Sequence, residues 1–264
     1  PAKSTRWPWL AAALLSAALV SVSVIHFRQK APVATPVRFT ISLPEGTSLS
    51  SGDLSVSPDG KFVLYRAADN GGTISRWLRE LGSLTPRKLS GDAGWDNCWS
   101  ADSKTITYMS DYRIVRGEAS GGEPRALSKA LLGMFGAVQG GGLACSPQAV
   151  LAGSAQGPLF QMAPSGGDVK PLTKLDSTKA ELAHQFPQFL PGGVRFLYTA
   201  VGGSAPGIYA GSLDSAEVKR ILPVSSRALY VSNGYLLYQL GRALVAQRFD
   251  PTSLNLSGEP VRIV

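Results

Sequence analysis

Cysteine and histidine are scarce, with two of each in 264 residues. Cys98 and Cys145 stand at no metal or redox spacing, and no set of His, Cys and acidic residues shows the spacing of a zinc site. No metal or cofactor is expected. A bond between the two cysteines cannot be read from sequence, and a lone cysteine behaves as a small core hydrophobe, so buried free thiols are expected. A serine hydrolase needs a nucleophile, a histidine base and an orienting acid. Here His26 lies at the edge of a long apolar stretch, and no Gly-x-Ser-x-Gly elbow occurs. Kinase chemistry is missing as well, since neither His-Arg-Asp nor Asp-Phe-Gly is present. Gly140–Gly142 and Gly202–Gly203 are not followed by Lys-Ser/Thr, so they read as turns and not as phosphate cradles. The chain is therefore expected to be non-enzymatic.

Charge is also thin, at 17% of residues. The net +8 would suit nucleic acid if it formed a patch. However, Lys3, Arg6, Arg28, Lys30 and Arg38 account for +5 of it, with no acid among residues 1–38. That excess flanks one apolar segment, where membrane topology explains it, and no nucleic-acid partner is expected.

Trp7 to Phe27 is the segment in question: uncharged, rich in Ala, Leu and Val, and long enough to span a bilayer. Trp7 and Trp9 suit a headgroup region, and Ser16, Ser21 and Ser23 can return their hydroxyls to carbonyls one turn back. A signal peptide would have a shorter core and a small-residue cleavage site before Arg28. A single transmembrane helix over 7–27 is expected, with a juxtamembrane remnant at 1–6 and a Pro-containing tether at 28–37. The flanking charges balance, so charge alone leaves the orientation open.

What is abundant is glycine and proline, 29 and 18 residues, which suits many short strands joined by turns. One turn recurs. Ser57-Pro58-Asp59-Gly60, Ser100-Ala101-Asp102-Ser103, Ser146-Pro147-Gln148-Ala149, Leu190-Pro191-Gly192-Gly193 and Val231-Ser232-Asn233-Gly234 are spaced 43, 46, 44 and 41 residues apart. Pro58 presets φ, Asp59 and Asp102 can bond their own backbone, and Gly60, Gly192 and Gly234 accept positive φ. Gln148 or Gly192 can stand in the Asp position, so the role is a turn, not catalysis. Strands such as Phe62–Tyr65 and Val194–Tyr198 follow the turns, and each unit closes with a second pair of strands. Four strands per repeat of this length is the signature of propeller blades. The expected fold is an all-β propeller spanning 38–264, with blades near 54–89, 97–127, 143–172, 187–222 and 229–264.

Trp99-Ser-Ala-Asp-Ser-Lys104 and Ser57-Pro-Asp-Gly-Lys61 resemble the Trp-Ser-Pro-Asp-Gly-Lys turn of TolB-type, WD-repeat-like propellers. Arg38-Phe-Thr-Ile-Ser-Leu-Pro-Glu-Gly46, His184–Gly193 and Gly207–Asp214 resemble a bacterial group of membrane Ser/Thr protein kinases. That group carries such a propeller after a single transmembrane helix. The resemblance implies a cytoplasmic kinase domain upstream and a propeller outside the membrane, in the periplasm, and Gly192-Gly193 departs from the group's common Asp-Gly.

Arg38–Leu43 reads as a strand left over from five complete blades, so a further blade beyond residue 264 is expected, and truncation at both ends with it. His184, ahead of the fourth blade's inner strand, is placed to face the central funnel. A hydrogen-bonded structural histidine is favoured there over a ligand contact. Trp77, Trp95 and Trp99 are expected to pack between blades. The functional expectation is a membrane-anchored sensor propeller of a kinase, binding a protein, peptide or envelope glycan on one face. A TolB-like envelope scaffold without a kinase is the alternative.

Overall fold

The computed structural model describes residues 11–12, 14–17, 19, 21, 40–50, 54–131 and 140–264. The chain divides into two units, 1–41 and 42–264. In the first, the described residues from 11 to 21 are α-helical. Ser16 and Ser21 donate to the carbonyls of Ala12 and Ala17 at 2.9 and 2.8 Å, so their hydroxyls are satisfied within the helix. Among the described residues no helix is long and apolar enough to cross a membrane, so a transmembrane helix at Trp7–Phe27 gains no support. Much of that span, the remnant 1–6 and the tether 28–37 lie outside the described residues.

The second unit is a propeller of five antiparallel sheets, each a meander of consecutive strands. In the first blade, β1 (Thr47–Leu49) and β2 (Ser55–Val56) both pair with β3 (Phe62–Asp69), which is followed by β4 (Ile74–Glu80) and β5 (Arg87–Lys88). Because β4 takes the other edge of β3, β1 and β2 together form a broken inner strand. The second blade holds β6 (Trp95–Trp99), β7 (Thr105–Ser110), β8 (Arg113–Glu118) and β9 (Arg125–Ala126). The third holds β10 (Leu143–Cys145), β11 (Val150–Ala152), β12 (Phe160–Met162) and β13 (Lys170–Pro171). The fourth holds β14 (Ala183–Phe189), β15 (Arg195–Val201), β16 (Gly207–Ser212) and β17 (Lys219–Leu222). The fifth holds β18 (Ala228–Val231), β19 (Tyr235–Leu240), β20 (Ala243–Asp250) and β21 (Asn255–Arg262).

Two expectations are corrected here. Residues 40–43 form no strand, and 38 and 39 lie outside the described residues. Pro44–Gly46 turns the chain instead, with both Thr47 N and Thr47 Oγ1 donating to Pro44 O at 3.1 and 2.7 Å, and the strand that follows joins blade one. Among the described residues the expected leftover strand is thus absent, and the case for a further blade loses its premise. The cysteines are not free either. Cys98 on β6 and Cys145 on β10 form a disulfide, their Cα atoms 5.5 Å apart. Adjacent inner strands bring together residues that are 47 apart in sequence, beyond the reach of any local pattern.

The recurring turn has one hydrogen-bond plan in the first two blades. Ser57 Oγ donates to Asp59 Oδ1 at 2.6 Å, Lys61 N donates to the same oxygen, and Phe62 N donates to Ser57 Oγ. Ser100, Asp102, Lys104 and Thr105 repeat the plan in blade two. The Ser57 and Ser100 hydroxyls, with the backbone amides, hold both Asp carboxyls below their ordinary range. In blade three the turn is tighter and Ser146 Oγ alone accepts from Gln148 N and Ala149 N.

The core lies between the blades. Leu64 and Leu78 meet Trp99, Ile106 and Tyr108 in the first wedge, and Met109 and Ile114 meet Val150 and Phe160 in the second. Leu151 and Leu159 meet Phe196 and Tyr198 in the third, and Leu197 and Ile208 meet Leu236 and Phe249 in the fourth. A strand flanked by two wedges must be apolar on both faces, which explains runs such as Phe62-Val-Leu-Tyr65. Clasps of different chemistry join neighbouring inner strands. Ser55 Oγ donates to Asn97 Oδ1 at 2.7 Å, the disulfide links blades two and three, Phe186 N donates to Gly141 O, and the Gln188 amide bonds both backbone groups of Tyr230.

Candidate functional site

The inner strands converge on an axial pocket of about 300 Å³. Val56, Trp99, Cys145, Phe186, Arg227 and Leu229 line it, drawn from all five blades. Two of these strands carry bulges, between Trp95 and Asn97 in β6 and between Gln185 and Gln188 in β14. Each bulge places a non-glycine residue at positive φ, Asp96 at 43° and Phe186 at 53°. A bulky side chain rarely adopts that conformation without surrounding constraint. For Phe186 the constraint is Gly142, where a Cβ would lie 2.9 Å from Phe186 Cα. The bulge turns the Phe186 ring toward the axis, where the Arg227 guanidinium carbon stands 5.8 Å from its centroid. The result is an aromatic and cationic rim over a pocket walled by Leu143, Ala144, Cys145 and Leu229.

The turn residues Pro58, Asp59, Gly60, Asp102, Pro147, Pro191, Gly192, Asn233 and Gly234 all lie between the first and second strands of their blades. They therefore share one end of the ring, and Pro58 reaches the axial pocket. Gly60 sits at φ +70°, as its place in the turn requires.

His184 does not line the axial pocket. It sits at the start of β14 in a separate cavity of about 230 Å³ between blade four and the connector from blade three. The connector explains the arrangement. In blades two and three a leucine after the outermost strand bonds back to the third strand, Leu127 N to Ile114 O and Leu172 N to Leu159 O. The next residue uses its hydroxyl to accept from that strand, Ser128 from Ile114 N at 3.0 Å and Thr173 from Leu159 N at 2.8 Å. Blade three extends this device, because Thr173 Oγ1 also lies 2.7 Å from His184 Nδ1. His184 Nε2 lies 3.2 Å from Glu181 Oε2, which also accepts from Asp176 N at 2.7 Å. One tautomer gives every proton an acceptor: Thr173 donates to a bare Nδ1, and Nε2–H donates to Glu181.

Burial lowers the His184 pKa from its ordinary value, and the Glu181 carboxylate opposes that shift without overcoming it. The unfolded chain therefore takes up this proton more readily than the folded one. The groups facing the imidazole are Thr173, Glu181 and Tyr198. Stability contributed by the neutral ring is present above about pH 6.5 and is lost as pH falls through the lower folded value. Urea unfolding at several pH values from neutral toward 5 should show this decline, with a shallower slope in His184→Asn.

Sequence reasoning singled out His184 but missed Thr173, Glu181 and Tyr198. The recurring Leu-Ser128 and Leu-Thr173 pairs, and the three-residue step from Glu181 to His184, were the available signals. Among the described residues no three His, Cys, Asp or Glu side chains are grouped to hold a metal ion.

No protein-family model and no curated protein matches the sequence. Solved structures do match. TolB from Acinetobacter baumannii aligns with a TM-score of 0.59 at 15% identity, covering 78% of this chain and 54% of that one. The chain thus spans little more than half the length of that TolB. A nidogen/laminin complex aligns with a TM-score of 0.58 at 12% identity, covering 78% and 77%. An oligogalacturonate lyase in complex with manganese aligns at 0.54 and 13%, covering 79% and 63%. These likenesses speak to architecture alone, and the architecture is a TolB-like β-propeller.

Proposed function

We propose that residues 42–264 form a non-catalytic binding propeller held outside the cytoplasmic membrane, with a protein or peptide as ligand at the axial pocket. The observation that carries this reading is the Cys98–Cys145 disulfide on the wall of that pocket. Structural disulfides persist in oxidising compartments and are rare in the cytosol. Phe186 and Arg227 at the rim and Trp99 on the pocket wall belong to the residue types enriched at protein interfaces. In this reading the uncharged Trp7–Phe27 segment is the anchor, and the resemblance to membrane Ser/Thr kinases favours a sensor role over an envelope scaffold.

Thiol trapping in cells decides the compartment. With the full-length protein at native levels, acid quenching and alkylation should leave Cys98 and Cys145 unlabelled until a reductant is added. Two free thiols would overturn the placement. Deleting residues 42–264 should then alter signalling while leaving intrinsic kinase activity unchanged, and a parent protein without a kinase domain would favour the scaffold.

A further inference from the structure

Among the described residues that line the axial pocket, Arg227 alone carries a charge. It is exposed, and it makes no hydrogen bond or ion pair with a described residue. The polar side chains on the wall are already engaged. Both ends of the Gln188 amide are taken by the Tyr230 backbone, and Trp99 Nε1 donates to Ser55 Oγ at 3.2 Å. The Phe186 ring lies near the guanidinium, which keeps its N–H donors for whatever enters.

A ligand seated in this pocket takes water away from Arg227. If the ligand is neutral there, a desolvated cation is left unpaired, which is costly. A carboxylate removes that cost, because its two oxygens match the planar guanidinium fork. The same pocket leaves large apolar side chains open to solvent, with Val56 51% and Leu229 42% exposed. Covering them favours an apolar group on the ligand close to its charge.

We infer, taking the axial pocket as the binding site, that the ligand is a peptide which offers a carboxylate to Arg227 beside an apolar side chain that covers Val56 and Leu229. Arg227 is then the residue that selects acidic peptides over neutral and basic ones.

The test selects peptides with free C-termini from a random display library on the whole 264-residue chain in detergent. The selected peptides are synthesised and titrated while the Trp99 indole N–H resonance is followed by NMR. They are expected to be rich in Asp and Glu and to shift that resonance saturably. Arg227→Gln, at an exposed position, should weaken them by about tenfold or more, and Arg227→Lys should recover part of the loss. Removing the peptide's carboxylate should cost as much as Arg227→Gln and add little to it. Amidating the C-terminus, or replacing Asp and Glu by Asn and Gln, tells the chain terminus from a side chain as the source. Peptides that shift the Trp99 resonance and bind Arg227→Gln with undiminished affinity would overturn this specificity and leave the axial binding site standing. Peptides that bind without moving that resonance, or none binding at a Kd of about 100 μM or tighter, would overturn the axial site and the specificity with it.

Discussion

Loss of the Cys98–Cys145 bond is expected to lower the unfolding free energy by about 4 kcal/mol. The bond closes a loop with a sequence separation of 47, and most of its effect comes from restricting the unfolded chain. The native environment adds to this, because both cysteines pack against the wedge between blades two and three. Urea unfolding with and without reductant measures the effect, and Cys98→Ser with Cys145→Ser supplies the same comparison without chemistry. The dependence on urea should steepen when the bond is absent, since an uncrosslinked denatured chain exposes more surface. A change under about 1 kcal/mol would mean the loop is already restricted in the denatured state.

Gly153→Val is expected to cost about 3 kcal/mol or more. A Cβ at Gly153 would stand 1.9 Å from Gly141 O and 3.2 Å from Gln185 Cα. Both obstacles are backbone, so no side chain can swing away. Three segments meet there without side chains between them: the start of β10, the end of β11 and the bulge of β14. Gly153 N donates to Gly142 O at 2.9 Å, Phe186 N to Gly141 O at 2.7 Å, and Ser154 N to His184 O at 3.2 Å. Separating them would disturb the Phe186 bulge and the His184 network together. Chemical denaturation gives the cost, and the His184 ring resonance should move in the same variant.

The blades were legible because their information is local and repeated. Ser57–Lys61 and Ser100–Lys104 encode the same turn with the same hydrogen bonds, and the apolar runs behind them report burial on both faces. The features that build sites were not legible in this way. The bulge at Phe186 depends on Gly142, just ahead of a neighbouring strand, and the disulfide depends on which inner strands lie side by side. The Thr173–His184–Glu181 network builds on a connector device that blade two shares at Leu127–Ser128, but it adds a histidine and a glutamate from further along the chain. Arg38–Leu43 misled for the opposite reason: it alternates as a strand does, but its described part, residues 40–43, runs irregularly into the turn at Pro44–Gly46.

The mixed chemistry of the inter-blade clasps has a mechanical consequence. Pulled from its ends, the propeller would resist through seams in series, three of them non-covalent and one covalent. The seams at Ser55–Asn97 and Gln188–Tyr230 can part under load, whereas that between blades two and three cannot until Cys98–Cys145 is reduced. The residues between the cysteines, roughly 160 Å of extended chain, stay shielded from force. A tethered propeller strained by its partner would thus give way on either side of the loop while the strands of blade two that follow Cys98 held.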